Sequence, residues 1–481
     1  MSDWPIVRLG DYCSKIGSGA TPRGGASVYL DEGEICLIRS QNIYNDGFKE
    51  NGLVYITKES AVKLKNVIVE RNDVLLNITG DSVARVCLVD ENYLPARVNQ
   101  HVAIIRPDPN EFDPRYVRYL LTSPAMQNLL LTIAAVGATR NALTKNMIET
   151  LEVSKPPLQV QVDIADKLES LDNKIELNRQ TNHTLEQIAQ AIFKSWFVDF
   201  DPVKAKIEAK QNGQNPELAA MCAISGKTEE QLKSLNEAAL QQLKTTAALF
   251  PYALVESELG EIPKGWSVSC IDDVCDFQNG YAFKSKEMTK NPENTYKVFK
   301  MGGIKKGGGL NKSKTKDYYD KSKCENLDRY LIKKGDLLMC MTDMKNNVAL
   351  LGHTALMDVD DEYILNQRVG LLRTKDKVIA NYPFLYILTN SGTFIEDLRS
   401  RANSGVQVNL STSEIKSTNF VLPSESVHLA FDKLTERLQE QIFSLEAEQN
   451  YLSEIRDALI PKLLSGEITL NENPGATEAV A

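Results

Sequence analysis

Chemistry on an exocyclic amino group calls for a short Asn/Asp-Pro-Pro-aromatic loop, and the sequence offers two partial matches, Asp113-Pro114-Arg115-Tyr116 and Asn291-Pro292-Glu293-Asn294. Both lack the second proline, so neither predicts a transfer site. Gly226-Lys227-Thr228 has the ending of a phosphate-binding loop, but the glycine that must precede it falls on Met221. Gly17-Ser18-Gly19 reads as a turn rather than a cofactor cradle. Histidine occurs at 101, 183, 353 and 428, which leaves little material for an acid-base constellation. The cysteines at 13, 36, 87, 222, 270, 275, 324 and 340 form no repeated Cys-x-x-Cys pair. No metal site is expected from them, and Cys270 and Cys275 read as small apolar side chains. The chain is therefore expected to be non-catalytic and to hold no cofactor of its own.

What remains is chemistry of contact. Between Lys284 and Lys323 twelve lysines stand against four acids and are interleaved with Gly302, Gly303, Gly307, Gly308 and Gly309. Positive charge on a glycine-rich backbone suits phosphate contact, although a solvated lysine loop has the same composition. Arg39-Ser40-Gln41-Asn42 stands where a second copy, described next, has Lys300-Met301-Gly302-Gly303. Arginine pairs with guanine, and glutamine or asparagine with adenine. The candidate DNA contacts are Arg39, Ser40, Gln41, Asn42, Thr79, Asn99, Gln100, Arg140, Asn141 and Lys145, then Lys300, Lys305, Lys306, Thr342, Lys345, Asn366, Gln367, Gln407 and Asn409. Each of these side chains suits a turn as well as a base edge.

The elements that must position them are written twice. Trp4, Ile6, Leu9, Asp11 and Cys13 recur as Trp266, Val268, Ile271, Asp273 and Cys275. Asn72-Asp73-Val74-Leu75-Leu76 recurs as Gly335-Asp336-Leu337-Leu338-Met339, and Val98-Asn99-Gln100-His101 as Leu365-Asn366-Gln367-Arg368. Gly137 and Asn141 map on Gly405 and Asn409, and Pro156 on Pro423. Conserved order with slowly drifting spacing means two copies of one domain with different loop lengths. Short apolar runs punctuated by Gly, Asn and Asp predict strands, and one helix per copy is expected from Pro114 to Leu131 and from Pro383 to Leu398. The fold class is α/β, mixed α+β, with a pseudo-two-fold internal repeat.

After each copy the texture changes to heptads. Leu168, Leu171, Ile175, Leu185, Ala189, Ile192 and Trp196 alternate at three- and four-residue gaps, and Leu438, Ile442, Leu445, Leu452 and Leu459 repeat the register. Asn178, Asn182 and Gln449 interrupt it. Asn182 and Gln449 either specify how the helices pair or mark a kink or a wet seam. Helices of roughly 35 to 40 residues would extend about 55 to 60 Å. The boundaries follow as a first domain 1–156, a helix 157–200, an insertion 201–262, a second domain 263–423, a helix 424–466 and a tail 467–481 expected to be disordered. The insertion, broken at Asn212-Gly213, Asn215-Pro216 and Gly226, is expected to form short helices and a flexible connection.

The net charge of −9 is uneven. Residues 265–423 carry 23 basic against 19 acidic side chains and residues 424–481 carry 4 against 11, so the acidic excess lies in the helical segments and leaves the domain surfaces open to a polyanion. No apolar run reaches the roughly 20 residues of a membrane span and no secretory leader begins the sequence, so a cytoplasmic location is expected. A duplicated adaptor that binds only proteins is the competing interpretation.

The Asn-Asp-Val-Leu-Leu and Val-Asn-Gln-His segments, the string Ile192-Phe193-Lys194-Ser195-Trp196-Phe197-Val198-Asp199-Phe200-Asp201-Pro202, and Gly260-Glu261-Ile262-Pro263-Lys264-Gly265-Trp266 resemble the specificity subunits of type I restriction-modification enzymes. The resemblance spans nearly the whole chain and departs in the insertion. It implies two target-recognition domains reading the half-sites of a split sequence in double-stranded DNA, with the two helices packed as an antiparallel coiled coil that spaces them. It implies two methyltransferase subunits, and two restriction subunits where the host has them, which would bring the S-adenosylmethionine, ATP and Mg chemistry.

Overall fold

The computed structural model describes residues 4–135, 141–344, 348–375, 382–404 and 407–470. The chain divides into two units, Met1–Asn178 with Ala447–Ala481, and Arg179–Glu446. Each unit holds one copy of the repeat together with parts of two 40-residue helices, Leu158–Phe197 and Glu425–Leu464.

In the first unit a four-stranded antiparallel sheet runs in the order Cys13–Ser18, Val102–Pro107, Val74–Asn77, Val86–Leu88. A second sheet runs Val54–Ile56, Ile35–Ile38, Ala96–Val98, Ile68–Val69, with its middle pair parallel. The second unit repeats both. Cys275–Asn279, Val369–Thr374, Leu337–Cys340 and Thr354–Leu356 form one sheet, and Tyr318–Asp320, Thr295–Phe299, Tyr363–Leu365 and Leu331–Ile332 the other. The apolar runs have a physical reason. Because side chains alternate across a strand, Val74 and Leu76 enter the core beneath the helices while Leu75 enters the core shared with the second sheet. Leu337 and Met339 part from Leu338 in the same way. Both faces are covered, so the strands are apolar throughout.

A pair of ion bridges staples this arrangement in each copy. Arg106 donates through Nε and Nη2 to the two oxygens of Asp73 at 2.7 and 2.8 Å, and Asp73 also accepts the Glu70 N–H at 2.7 Å. Arg373 repeats the fork on Asp336 at 2.8 and 2.7 Å, with the Lys333 N–H at 2.7 Å. Asp73 is wholly buried and Asp336 nearly so.

Three expectations need correction. The single helix expected in each copy is two, Pro114–Thr122 followed by Pro124–Ala135, and Tyr382–Thr389 followed by Gly392–Ser400. Pro124 disfavours helical backbone at Ser123, and the hydroxyls of Ser123 and Ser391 donate back to Leu120 O and Leu388 O, each at 2.7 Å. The insertion is not a flexible connection. Helices Pro216–Ser225, Glu229–Lys233 and Glu237–Ala248 pack around Ala220, Met221, Leu232 and Ala247, Asp201–Gln211 packs on Pro216–Ser225 and buries Val203 in the main core of the unit, and a hairpin Leu254–Ser257 with Gly260–Pro263 follows. Its supposed breaks are caps: Asn215 accepts the Glu217 and Leu218 N–H groups, and Gly226 closes its helix in the left-handed conformation. The third correction concerns register. Leu143 N–H donates to Ile78 O at 2.8 Å and Leu410 N–H to Met341 O at 2.9 Å, so Asn409 is equivalent to Ala142, and Asn141 to Val408. The structural register therefore differs by one residue from the match of Gly137 and Asn141 on Gly405 and Asn409. Both glycines lie outside the described residues, as does most of the tail expected to be disordered.

The long helices pack antiparallel within each unit. In the first, Arg456 Nη1 donates to Asp172 at 2.8 Å and Asn178 Nδ2 to Glu448 at 2.7 Å. In the second, Asn182 Nδ2 donates to Ile442 O at 3.4 Å. Asn178 and Asn182 are both buried, so the polar positions lie inside the seam. Gln449 is only half-buried, and its neighbour Glu448 is the polar group that meets the first helix. Leu171, Ile175, Leu185, Ile192, Leu438, Leu452 and Leu459 are half-buried along the helices, and Ile442 is buried.

Each domain is held to its helices differently. Asp172 receives Arg118 Nη1 at 2.8 Å and the Tyr119 hydroxyl at 2.7 Å besides Arg456. Burial alone would raise its carboxyl, but the Arg118 charge and these hydrogen bonds outweigh burial and hold it below the usual carboxylate range. In the second unit the joint is apolar: Phe193, Trp196 and Phe197 meet Phe384 and Phe431 with ring centroids 4.9 to 6.2 Å apart.

Candidate nucleic-acid interface

The first domain carries a concavity of about 560 Å³ whose lining includes Ser40, Gln41, Tyr44, Thr79, Arg85 and His101. It forms where the two sheets hand over to one another. Ser40 and Gln41 belong to the 3-10 turn after Ile35–Ile38, Thr79 follows Val74–Asn77, and His101 ends the turn between Ala96–Val98 and Val102–Pro107. That turn presses on Gly19: a Cβ there would stand 2.2 Å from Val98 O, and one on Gly280 the same distance from Asn366 O. Glycine is needed at both because backbone fills the space.

Within this frame the candidates separate. Ser40, Gln41, Thr79 and Asn141 line the concavity. Gln100 is exposed beside His101. Lys145 is exposed and pairs with Glu149 at 3.3 Å. Arg39 is partly withdrawn, because its guanidinium bonds to Gly52 O and lies 5.4 Å from the Tyr29 ring centroid. Asn42 and Asn99 leave the interface. Asn42 is wholly buried, accepts the Arg39 N–H at 3.0 Å and donates to Lys49 O at 2.9 Å, while the buried Asn99 accepts the His101 N–H at 3.1 Å. Both satisfy turns. Sequence reasoning missed Tyr44 and Arg85, whose guanidinium stands 4.5 Å from the tyrosine centroid. Only an arginine and an aromatic 41 positions apart mark the pair in the sequence. Arg140 and Lys345 lie outside the described residues.

In the second domain the lysine segment is less free than its composition implied. Lys290 and Lys300 both bind Asp317, Lys297 binds Glu362, Lys305 binds Glu446 and Lys312 binds Asp358. Hydrogen bonds from Lys290 and Lys300 hold the Asp317 carboxyl below its ordinary range. Among the described residues Lys286, Lys306, Lys314, Lys316, Lys321 and Lys323 make no ion pair, Lys321 lies 4.7 Å from the Tyr296 ring centroid, and Lys306 is exposed. The glycine run is a fixed loop rather than a loose one. Gly307, Gly308 and Gly309 take φ of 85, 103 and 94°, Lys305 N–H donates to Gly309 O at 2.8 Å, and a Cβ on Gly308 would stand 2.7 Å from Asn390.

Thr342 is buried and donates to Asn409 Oδ1 at 2.9 Å, and Asn409 itself is exposed. Gln407 is half-buried on the same strand, Gln367 is exposed, and Asn366 accepts the Gln367 N–H at 2.8 Å within its turn. Polar groups thus gather at equivalent edges of the two domains, while the side chains differ: His101 stands opposite Arg368 in the repeat, and Ala142 opposite Asn409.

A family model described as type I restriction modification DNA specificity domain matches residues 1–187 and 263–445. The chain is 29% identical to the HindI specificity subunit of Haemophilus influenzae over 97% of this chain and 100% of that relative. It is 24% identical to the MjaIX specificity subunit of Methanocaldococcus jannaschii over 98% of this chain and 94% of that relative. A crystal structure of a type I restriction-modification S subunit from M. genitalium shares the fold at a TM-score of 0.51 and 16% identity, covering 98% of this chain and 97% of that one. With both copies of the repeat matched in sequence and the two-domain, long-helix architecture shared, the chain belongs to the family of type I restriction-modification DNA specificity domains and carries that domain twice.

Proposed function

We propose that each domain reads one half of a split DNA target, and that the length of the paired helices sets the number of unread base pairs between the halves. The observation that carries this reading is the duplication of both four-stranded sheets with exchanged surface chemistry. Two domains of one topology present different polar groups at equivalent edges, as two readers of different words must. The chain acts without chemistry of its own. Its helices dock two methyltransferase subunits, which bring S-adenosylmethionine and act on an adenine flipped from the stack. Restriction subunits using ATP and Mg join in hosts that have them, and the assembly works in the cytoplasm.

The test is to insert one heptad between Leu171 and Ile192 with its match in the second helix, assemble the methyltransferase, and map modified bases. A changed spacer with both half-sites intact is expected. Altered bases within a half-site, or an unchanged spacer, would overturn the reading.

A further inference from the structure

The matched threonines, Thr79 and Thr342, hold different partners, and elementary hydrogen-bond chemistry then fixes the direction of each bond. In the first domain Gln100 Nε2 lies 3.0 Å from His101 Nε2, and His101 Nδ1 lies 2.6 Å from Thr79 Oγ1. An amide nitrogen only donates. His101 Nε2 is therefore the acceptor, its ring proton sits on Nδ1, and that N–H donates to Thr79. The relay turns the Gln100 amide nitrogen towards the ring, and its carbonyl oxygen, on an exposed side chain, makes no protein hydrogen bond among the described residues. In the second domain the order is reversed. Asn409 Oδ1 only accepts, so Thr342 Oγ1–H donates to it at 2.9 Å, and the amide nitrogen of Asn409 donates to Gln407 O at 3.3 Å. That nitrogen carries two hydrogens, and Asn409 is exposed.

Resting on the proposed DNA reading, we propose that these threonines are positioning residues that set opposite hydrogen-bond polarity in the two domains: Gln100 presents an acceptor, and Asn409 presents a donor. The acceptor suits the N4 or N6 amino group of cytosine or adenine. The donor suits guanine O6 and N7, adenine N7 or thymine O4. The repeat explains why the polarity differs. His101 is replaced by Arg368, which has no acceptor to receive an amide, and Ala142 is replaced by Asn409, so each threonine meets a different neighbour.

The experiment uses the full chain assembled with its methyltransferase subunits, and maps methylation across a genome for Thr79→Val, Thr79→Ser and Thr342→Val. Thr79→Val removes the acceptor for His101 Nδ1–H, freeing the imidazole to take the other tautomer and Gln100 to turn over. Discrimination at one base pair of the first half-site should fall by about tenfold or more, with the second half-site unchanged. Thr79→Ser keeps the oxygen and should restore it. Thr342→Val should relax one position of the second half-site alone. The unaffected half-site reports that each variant is folded and assembled. Unchanged discrimination in both valine variants overturns this proposal and leaves the DNA reading standing. If the parent complex modifies no split sequence, the DNA reading itself fails.

Discussion

Asp73→Ala tests whether the twin forks between arginine and aspartate hold the sheets together. The substitution removes a wholly buried carboxylate that receives two guanidinium bonds and the Glu70 N–H. It leaves Arg106, with its side chain 20% exposed, holding only the half-exposed Glu70 carboxylate and Ile68 O, and it leaves the Glu70 N–H without its acceptor. Breaking such a pair from one side costs about 3–5 kcal/mol. For a unit of about 200 residues each kcal/mol moves the midpoint by roughly 2–4 °C, so the unit should melt about 6–20 °C lower. Calorimetry of the full chain reads this directly. Asp336→Ala should behave alike, because Arg373 makes the same fork. A second variant distinguishes charge from packing: Asp73→Leu with Arg106→Met leaves no buried charge and should recover most of the loss. A shift under about 3 °C in the alanine variant, or a double variant less stable than the single, would refute the reasoning.

Two further outcomes follow from buried polar groups. Asn182 donates to Ile442 O, and its Oδ1 has no partner among the described residues; Asn182→Leu should raise stability by about 1 kcal/mol, and a loss of that size in thermal melts would count against a buried unsatisfied oxygen. His428 is wholly buried, and burial pushes its imidazole down to about 4 although an Asp432 oxygen lies 3.5 Å away. The unfolded chain takes up the proton below the ordinary 6.5 and the folded chain only near 4. Stability is therefore full above 6.5 and falls as pH drops towards 4, at up to about 1.4 kcal/mol per unit. His428→Gln, matching Gln161 in the other helix, should lose less stability between pH 7 and 5. Equal losses in the two proteins would remove His428 from the account.

The repeat and the heptads were legible because each rests on a period, and periods survive without knowledge of contacts. The packing of the insertion is not legible for a local reason: Asn215 and Gly226 break helices whether they begin a loose tether or cap a packed bundle. The register at Asn141 is set by the buried Leu143 and Leu410, whose hydrogen bonds define the edge, and not by the glycines before them. Arg106 lies on Val102–Pro107 and Asp73, 33 residues away, in the turn before Val74–Asn77, so no spacing announces them. Asn42 and Gln41 are neighbours of like chemistry, yet one is wholly buried in a turn and the other is exposed. Only backbone direction separates them.

In each domain the first strand pairs with the last, Ile6–Arg8 with Glu152–Ser154 and Ser267–Cys270 with Asn419–Leu422. The polypeptide thus departs where it arrived, through a closed neck. A crossover at that neck would exchange a domain as one piece, provided the newcomer brings side chains that meet the helix as Arg118 and Tyr119 meet Asp172, or as Phe384 meets Phe193 and Phe197. Exchange by whole domains keeps the buried sheets of each intact, where stepwise replacement would have to repack strands covered on both faces.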